Sequence, residues 1–137
     1  MTKEIWINLP VQDVARAKAF FTELGFALNP KYGDSEQSAS LLIGEKSVVV
    51  MLFAAPVFQR FTQNELPSPH TTEVLLSIDA ASREEVDALA ARAVQAGGHL
   101  FAAPAESQGW MYGCGFADPD GHRWNVLFMD HNKLPRH

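Results

Sequence analysis

The succession strand, helix, three strands can be traced twice along this chain, and that repetition restricts the fold more than any single motif. In the first half Ile5, Ile7 and Leu9 alternate with Trp6 and Asn8, and Pro10 ends the strand. Asp13 stands as the N-cap of a helix whose 3.6-residue apolar period runs through Val14, Ala17, Phe20, Phe21 and Leu24 to Gly25 at its C-terminus. Residues 26–32 read as a strand interrupted at Asn29-Pro30, residues 31–38 as a polar loop, and residues 40–43 and 47–53 as two strands joined across Gly44-Glu45-Lys46. Residues 54–69 read as a short helix with Phe58 and Phe61 on one side, then a proline-bounded linker. The pattern then starts again. Val74, Leu76 and Ile78 alternate with Glu73, Leu75 and Ser77 over residues 72–78; Ser82, followed by Glu84 and Glu85, opens a helix that runs through Val86, Leu89, Ala93 and Val94 to Gly97-Gly98. Residues 99–103, 111–117 and 123–129 supply three more strands.

Each half is therefore a small sheet with one apolar face that a helix must cover and one mixed face that needs another partner. The expected architecture is α+β: two βαβββ modules forming a curved eight-stranded mixed sheet, with helices outside and an internal cleft. Module one spans about residues 1–55, a linker about 56–71, module two about 72–130, and residues 131–137 form a tail of a single domain. The best-defined stretch is the last. Asp118-Pro119-Asp120-Gly121 is a tight-turn sequence, because proline presets φ, aspartate bonds its own backbone and glycine accepts positive φ. Beyond it Trp124, Val126 and Phe128 fall on one face, and Arg123, Asn125, Leu127 and Met129 on the other. Aligning the mixed faces of the two halves matches Trp6 with Glu73 and Met51 with Asn125.

At 137 residues the chain is one domain's worth and can hold a core without staples. Its longest apolar run, residues 48–57, is strand-sized, and Met1-Thr2-Lys3-Glu4 does not open a secretory signal, so no membrane partner and a cytoplasmic location are expected. Cys114 is the only cysteine, which excludes an internal disulfide and a cysteine-built zinc site. The net charge of −5, with both signs interspersed, argues against nucleic acid and anionic membranes and suits cationic or neutral ligands.

Asn8-Leu9-Pro10-Val11 followed by Asp13, then Ala19-Phe20-Phe21, Leu24-Gly25-Phe26, Ser82-Arg83-Glu84-Glu85-Val86-Asp87, Ala96-Gly97-Gly98, Met111-Tyr112-Gly113 and Asp120-Gly121-His122 with Trp124 resemble the vicinal oxygen chelate superfamily. Within it, the chain looks most like bacterial predicted lactoylglutathione lyases. The resemblance covers nearly the whole chain and lies in the order and spacing of motifs that are individually weak. It implies paired βαβββ modules, a cleft for a small organic molecule, a divalent metal and frequent homodimers. Superfamily activities include glyoxalase lyases, epimerases, extradiol dioxygenases, fosfomycin-inactivating thiol transferases and proteins that only sequester bleomycin.

In metal-dependent members one ligand comes from the first strand and one from the last strand of each module. The matching positions here are Trp6, Met51, Glu73 and Asn125. Only Glu73 is a good ligand: the indole has no acceptor lone pair, the thioether suits soft metals, and the amide offers one neutral oxygen. A catalytic divalent ion ordinarily has three protein ligands, so the positions do not support the metal that the resemblance implies, and no other cofactor is expected. His70, His99, His122, His131 and His137 have no metal-ligand spacing among them.

Two functions follow. In one, a lyase or isomerase works without the usual metal centre, with Glu73 as general base in an apolar cleft and Asn8 and Asn125 orienting a carbonyl or its enolate. The alternative is a non-catalytic protein that sequesters a small molecule or antibiotic, as bleomycin-resistance proteins do. Either use would draw ligand contacts from Trp6, Asn8, Met51 and Phe53 in module one and from Leu75, Ser77, Arg123 and Asn125 in module two. Trp110 and Tyr112, like Phe58 and Phe61, lie on segments able to close over the ligand. The glycine-rich stretch 109–115 lacks the spacing and the following helix of a phosphate loop, and reads as a mobile start to a strand.

Overall fold

The computed structural model describes residues 1–31 and 33–133. The chain divides into two compact units, Met1–Thr71 and Thr72–His137. In the first, β1 (Trp6–Val11), α1 (Val14–Glu23), β2 (Ala27–Leu28), β3 (Ser38–Ile43), β4 (Val48–Ala54) and α2 (Ala55–Thr62) follow one another. β1 runs parallel to β4, β3 antiparallel to β4 and to β2, giving the order β1-β4-β3-β2. The second unit repeats the scheme with β5 (Leu75–Asp79), α3 (Arg83–Gln95), β6 (His99–Ser107), β7 (Met111–Ala117) and β8 (Arg123–Met129), in the order β5-β8-β7-β6. Two βαβββ modules in an α+β chain are thus present, and their eight strands are hydrogen-bonded as two mixed sheets of four.

The predicted caps are in place. Asp13 Oδ1 accepts the Arg16 N–H at 3.1 Å, and Ser82 Oγ accepts the Glu85 N–H at 3.1 Å while Glu85 Oε2 accepts the Ala81 N–H at 2.7 Å. Gly25 has φ +95°, the left-handed conformation that lets α1 end where the Phe26 N–H returns to the Phe21 carbonyl at 2.9 Å. α1 buries Val14, Ala17, Phe20 and Phe21 against Leu9, Val11, Leu41, Val50 and Leu52. α3 buries Val86, Leu89, Ala90 and Ala93 over Phe116, Trp124 and Val126. Full burial of each large apolar side chain contributes about 1.5–3 kcal/mol, so these two layers hold their units together. No helix among the described residues is long and apolar enough to cross a membrane.

Some boundaries differ from the sequence reading. β2 has two residues, because Asn29 Oδ1 accepts the Lys31 N–H at 3.0 Å and turns the chain; Tyr32 lies outside the described residues, as do residues 134–137 of the tail. β5 begins at Leu75 rather than residue 72, and β6 extends to Ser107 with register shifts between Leu100 and Ala102 and between Ala102 and Ala105.

Asp118 holds the β7–β8 turn. Its Oδ1 accepts the N–H groups of Asp120 and His122, each at 3.0 Å, and its Oδ2 accepts the Trp124 indole N–H at 3.2 Å. Burial pushes the Asp118 carboxyl above the usual carboxylate range, against the pull of the His122 charge and of the bonds from Trp124 and His122. Asp118→Ala leaves three donors without an acceptor, and we predict a loss of about 2–4 kcal/mol in urea unfolding. Because the folded pKa is raised, the folded state holds this proton more tightly than the unfolded chain does. The stability that the group contributes is therefore complete below the ordinary carboxylate pKa and is lost as pH climbs through the folded value. Urea midpoints across mildly acidic pH should show that slope in the wild type and lack it in Asp118→Asn; equal slopes would refute the assignment.

Candidate functional site

In each unit one sheet face lies under a helix and the other carries the mixed residues. Register assigns the rows. In the first unit Asn8 pairs with Met51, Ser40 with Met51 and Ser38 with Phe53, so Trp6, Asn8, Met51 and Phe53 share one face, as read from the sequence. Much of that face is already covered by the chain itself. Gly33, at φ +68°, rests on the Met51 thioether so closely that a Cβ there would overlap Met51 Cε. The covering loop is held by Ser38 Oγ donating to the Gly33 carbonyl at 2.6 Å and by a Lys18–Asp34 ion pair at 2.6 Å. Beneath it Ser40 Oγ is buried with no hydrogen-bond partner among the described residues. Phe53 meets Phe61 of α2 edge-on at 5.2 Å. Trp6, 59% exposed, and Asn8 remain open to solvent.

The second unit leaves its mixed face more open. Leu75 pairs with Arg123, Ser77 with Asn125 and Asp79 with Leu127, while β7 places Ala117, Gly115 and Gly113 opposite Arg123, Asn125 and Leu127. The two glycines are ladder residues with a steric purpose. A Cβ on Gly115 would lie 2.5 Å from Cε1 and Cζ of Phe101, and one on Gly113 would lie 2.7 Å from Cδ2 of Leu127. Phe101, 39% exposed, lies at the shift between Leu100 and Ala102 and its ring rests on Gly115. The Arg123 guanidinium stands over that ring, 4.5 Å from its centre. Apart from this stacking, the side chains of Arg123, Asn125 and Ser77 make no hydrogen bond or ion pair among the described residues. Toward the ends of β5 and β8 the chain surrounds an open depression of about 430 Å³, whose walls include Ser77, Asp79, Leu127, Met129 and His131.

Three expectations need correction. Glu73 lies in a bend before β5, exposed, and is not a residue of that strand; among the described residues it forms no ion pair with Arg123 or any other cation. Tyr112 pairs with Phe128 and so stands on the helix side, where its hydroxyl donates to Asp87 of α3 at 2.6 Å, a bond that, ahead of burial, raises the phenol pKa. It is not on the face that carries Asn125. Glycines 113 and 115 belong to regular β7 rather than to a mobile approach, and Trp110, half-buried in the β6–β7 turn, gives its carbonyl to the Asp130 N–H at 2.7 Å. Phe101 and His131 escaped the sequence reading: a bulge hides the first from a period-two count, and the second stands in the tail.

The metal implied by the resemblance fails a test of the donors. Trp6 offers no lone pair, the Met51 thioether is packed against Gly33, Asn125 is a neutral amide, and Glu73 is an exposed residue ahead of its strand. Among the described residues no group of three or more His, Cys, Asp or Glu side chains could hold a metal ion. These four positions do not fit a catalytic divalent cation.

Duplicated βαβββ units with β1 parallel to β4 and β5 parallel to β8 define an α+β protein of the glyoxalase type. The family described as bleomycin resistance protein-like N-terminal matches residues 3–36. A hypothetical protein from S. aureus superposes with a TM-score of 0.83 at 34% identity, covering 93% of this chain and 94% of that one. A glyoxalase/bleomycin resistance protein/dioxygenase family enzyme from Burkholderia phytofirmans gives 0.78 at 22% identity over 90% and 96%. The bleomycin resistance determinant encoded on transposon Tn5 gives 0.62 at 18% over 94% and 99%. No curated protein matches the sequence. The chain has the fold of glyoxalase/bleomycin resistance protein/dioxygenase proteins, and both that fold and the match over residues 3–36 support the vicinal oxygen chelate superfamily.

We predict that the purified protein carries no stoichiometric zinc, nickel or iron. Elemental analysis finding one tightly held ion per chain, released by Glu73→Ala, would overturn this.

Proposed function

We propose that the protein binds a small organic molecule on the mixed face of its second sheet and sequesters it without chemistry. The observation that carries this reading is the row Arg123, Asn125 and Ser77: a cation, an amide and a hydroxyl on one face, all without hydrogen-bond or ion-pair partners among the described residues, beside Leu75, Phe101 and Leu127. Such a mixture of apolar surface and a few convergent polar groups is what a small-molecule site requires.

The competing lyase or isomerase reading asks Glu73 to act as base. A general base works within hydrogen-bond reach of its substrate in a site that excludes water, and Glu73 is exposed in a bend ahead of its strand. Binding alone needs no such placement. Once a ligand is found by thermal-shift screening, it should be recovered chemically unchanged after incubation, and Glu73→Gln should keep its affinity within about twofold. Time-dependent conversion that Glu73→Gln abolishes would replace this reading with the enzymatic one.

The proposal includes a homodimer. β1 and β5 each end their ladder with one partner, and the chain at their starts exposes Ile5 (70%), Trp6 (59%), Val74 (53%) and Leu75 (50%). Open strand edges flanked by apolar side chains favour association with a second copy. Light scattering should give twice the 15.1 kDa chain mass at micromolar concentration; a monomer there rules the dimer out.

A further inference from the structure

We infer that the ligand is an anion: a small carboxylate whose acid group binds the edge of the Arg123 guanidinium. The inference deepens the proposed function and rests on its reading of the second sheet's mixed face as the binding surface. The argument begins with a comparison of two arginines. Arg83 lies over the rings of Tyr112 and Phe128, at 5.8 and 5.3 Å from their centres, and its Nε and one Nη donate to Glu106 Oε1 at 3.0 and 2.6 Å. Its face is spent on aromatic rings and its edge on a carboxylate from its own chain. Arg123 has the first half of that arrangement and lacks the second. Its face stacks on Phe101 at 4.5 Å, and its edge has no carboxylate among the described residues.

The one carboxylate in these rows, Asp79, stands beside Leu127, two pairs along, and does not reach it. In register, Arg123 lies between Leu75 on β5 and Ala117 on β7, and Ser77, Asn125 and Gly115 come next along the rows. In a chain with 16 acidic and 11 basic residues, this guanidinium is held in place by stacking yet has no ion pair among the described residues, which leaves it available to an outside anion. Stacking uses the flat face, so the in-plane N–H donors stay available for a bidentate oxyanion. The position is also fixed from below. Gly115 has no side chain, so the Phe101 ring settles into the space and carries the guanidinium at a set height above the sheet.

The neighbours define the remainder of the ligand. Asn125 stands two residues along the strand, roughly 7 Å from Arg123, with Ser77 beside it in register. A molecule matching the row has a carboxylate at one end, a planar or apolar body beside Leu75 and the edge of the Phe101 ring, and a hydrogen-bonding group at the other end. Local chemistry here outweighs the net negative charge, which by itself suggests a cationic or neutral ligand.

The test uses three probes of one shape on the full chain: 4-hydroxybenzoate, its neutral amide 4-hydroxybenzamide, and the cation 4-hydroxybenzylammonium. Binding is followed by the Gly115 backbone and Asn125 side-chain amide signals in two-dimensional NMR. The carboxylate should shift them saturably, with the amide roughly tenfold weaker and the cation weaker still. Arg123→Gln should cost the carboxylate roughly the same factor and leave the amide unaffected, whereas Arg83→Gln should change neither probe by more than about twofold. If the amide or the cation binds as well as the carboxylate, or if Arg83→Gln costs as much as Arg123→Gln, the anion assignment fails while the small-molecule surface stands. If none of the three probes moves either signal, both the anion assignment and the surface reading fall.

Discussion

The strict alternation along β8 governs what the second unit can do, because each residue either joins the core or faces outward. Trp124, Val126 and Phe128 go to the helix side, where Phe116 stacks nearly parallel to Trp124 with ring centres 6.2 Å apart. Arg123, Asn125 and Leu127 consequently face the other way. A slip of one residue in the ladder would bury an arginine and an amide and expose an indole, a change costing several kcal/mol for the charge alone. Asp118 guards against that slip. By gripping both the turn backbone and the Trp124 indole it fixes where β8 starts relative to β7, and so decides which side chains face the helix and which the open side.

The two units use the same scaffold to opposite ends. In the first, much of the mixed face is covered by the chain itself: Gly33 rests on Met51, Phe61 meets Phe53, and Ser40 Oγ is buried with no hydrogen-bond partner among the described residues. In the second, Gly113 and Gly115 keep β7 low, so that Leu127 and Phe101 can lie across it and the polar row beside them stays accessible. Duplication supplied two faces of similar pattern. The placement of three glycines separates a covered one from an open one.

How far the sequence could be read follows from which interactions are local. Caps at Asp13 and Ser82, the helix end at Gly25 and the turn at residues 118–121 depend on neighbours within four residues, and each was legible. The start of β5 was not, because alternation at residues 72–74 continues past the point where a partner exists. Leu75 pairs with Arg123, and the residues before Arg123 belong to the Asp118 turn, so Glu73 has no strand beside it. Tyr112 was misjudged for a related reason: its face is set by its pairing with Phe128, a contact across the sheet. Phe101 was invisible to a period-two count, since the irregular pairing around Ala102 changes the side on which it falls. Met51 was correctly assigned to the mixed face, but a loop 18 residues earlier in the chain covers it.

Without good ligands at Trp6, Met51, Glu73 and Asn125, the recognition proposed here has to work by other means. A divalent cation would polarise an oxygen donor whatever surrounded it; a neutral amide, a hydroxyl and a partly buried guanidinium cannot do so at a distance. Their selectivity must come from geometry instead. A guanidinium edge pairs with two oxygens in one plane, so it distinguishes a carboxylate from an amide of the same shape even where solvent weakens the Coulomb attraction. The Phe101 stack makes that edge usable, because it limits the rotamers of a long side chain that would otherwise lose ordering entropy on every binding event. On the reading proposed above, the open face relies on the rigidity of one stacked arginine rather than on the reach of a metal, an arrangement suited to holding a molecule rather than to activating it.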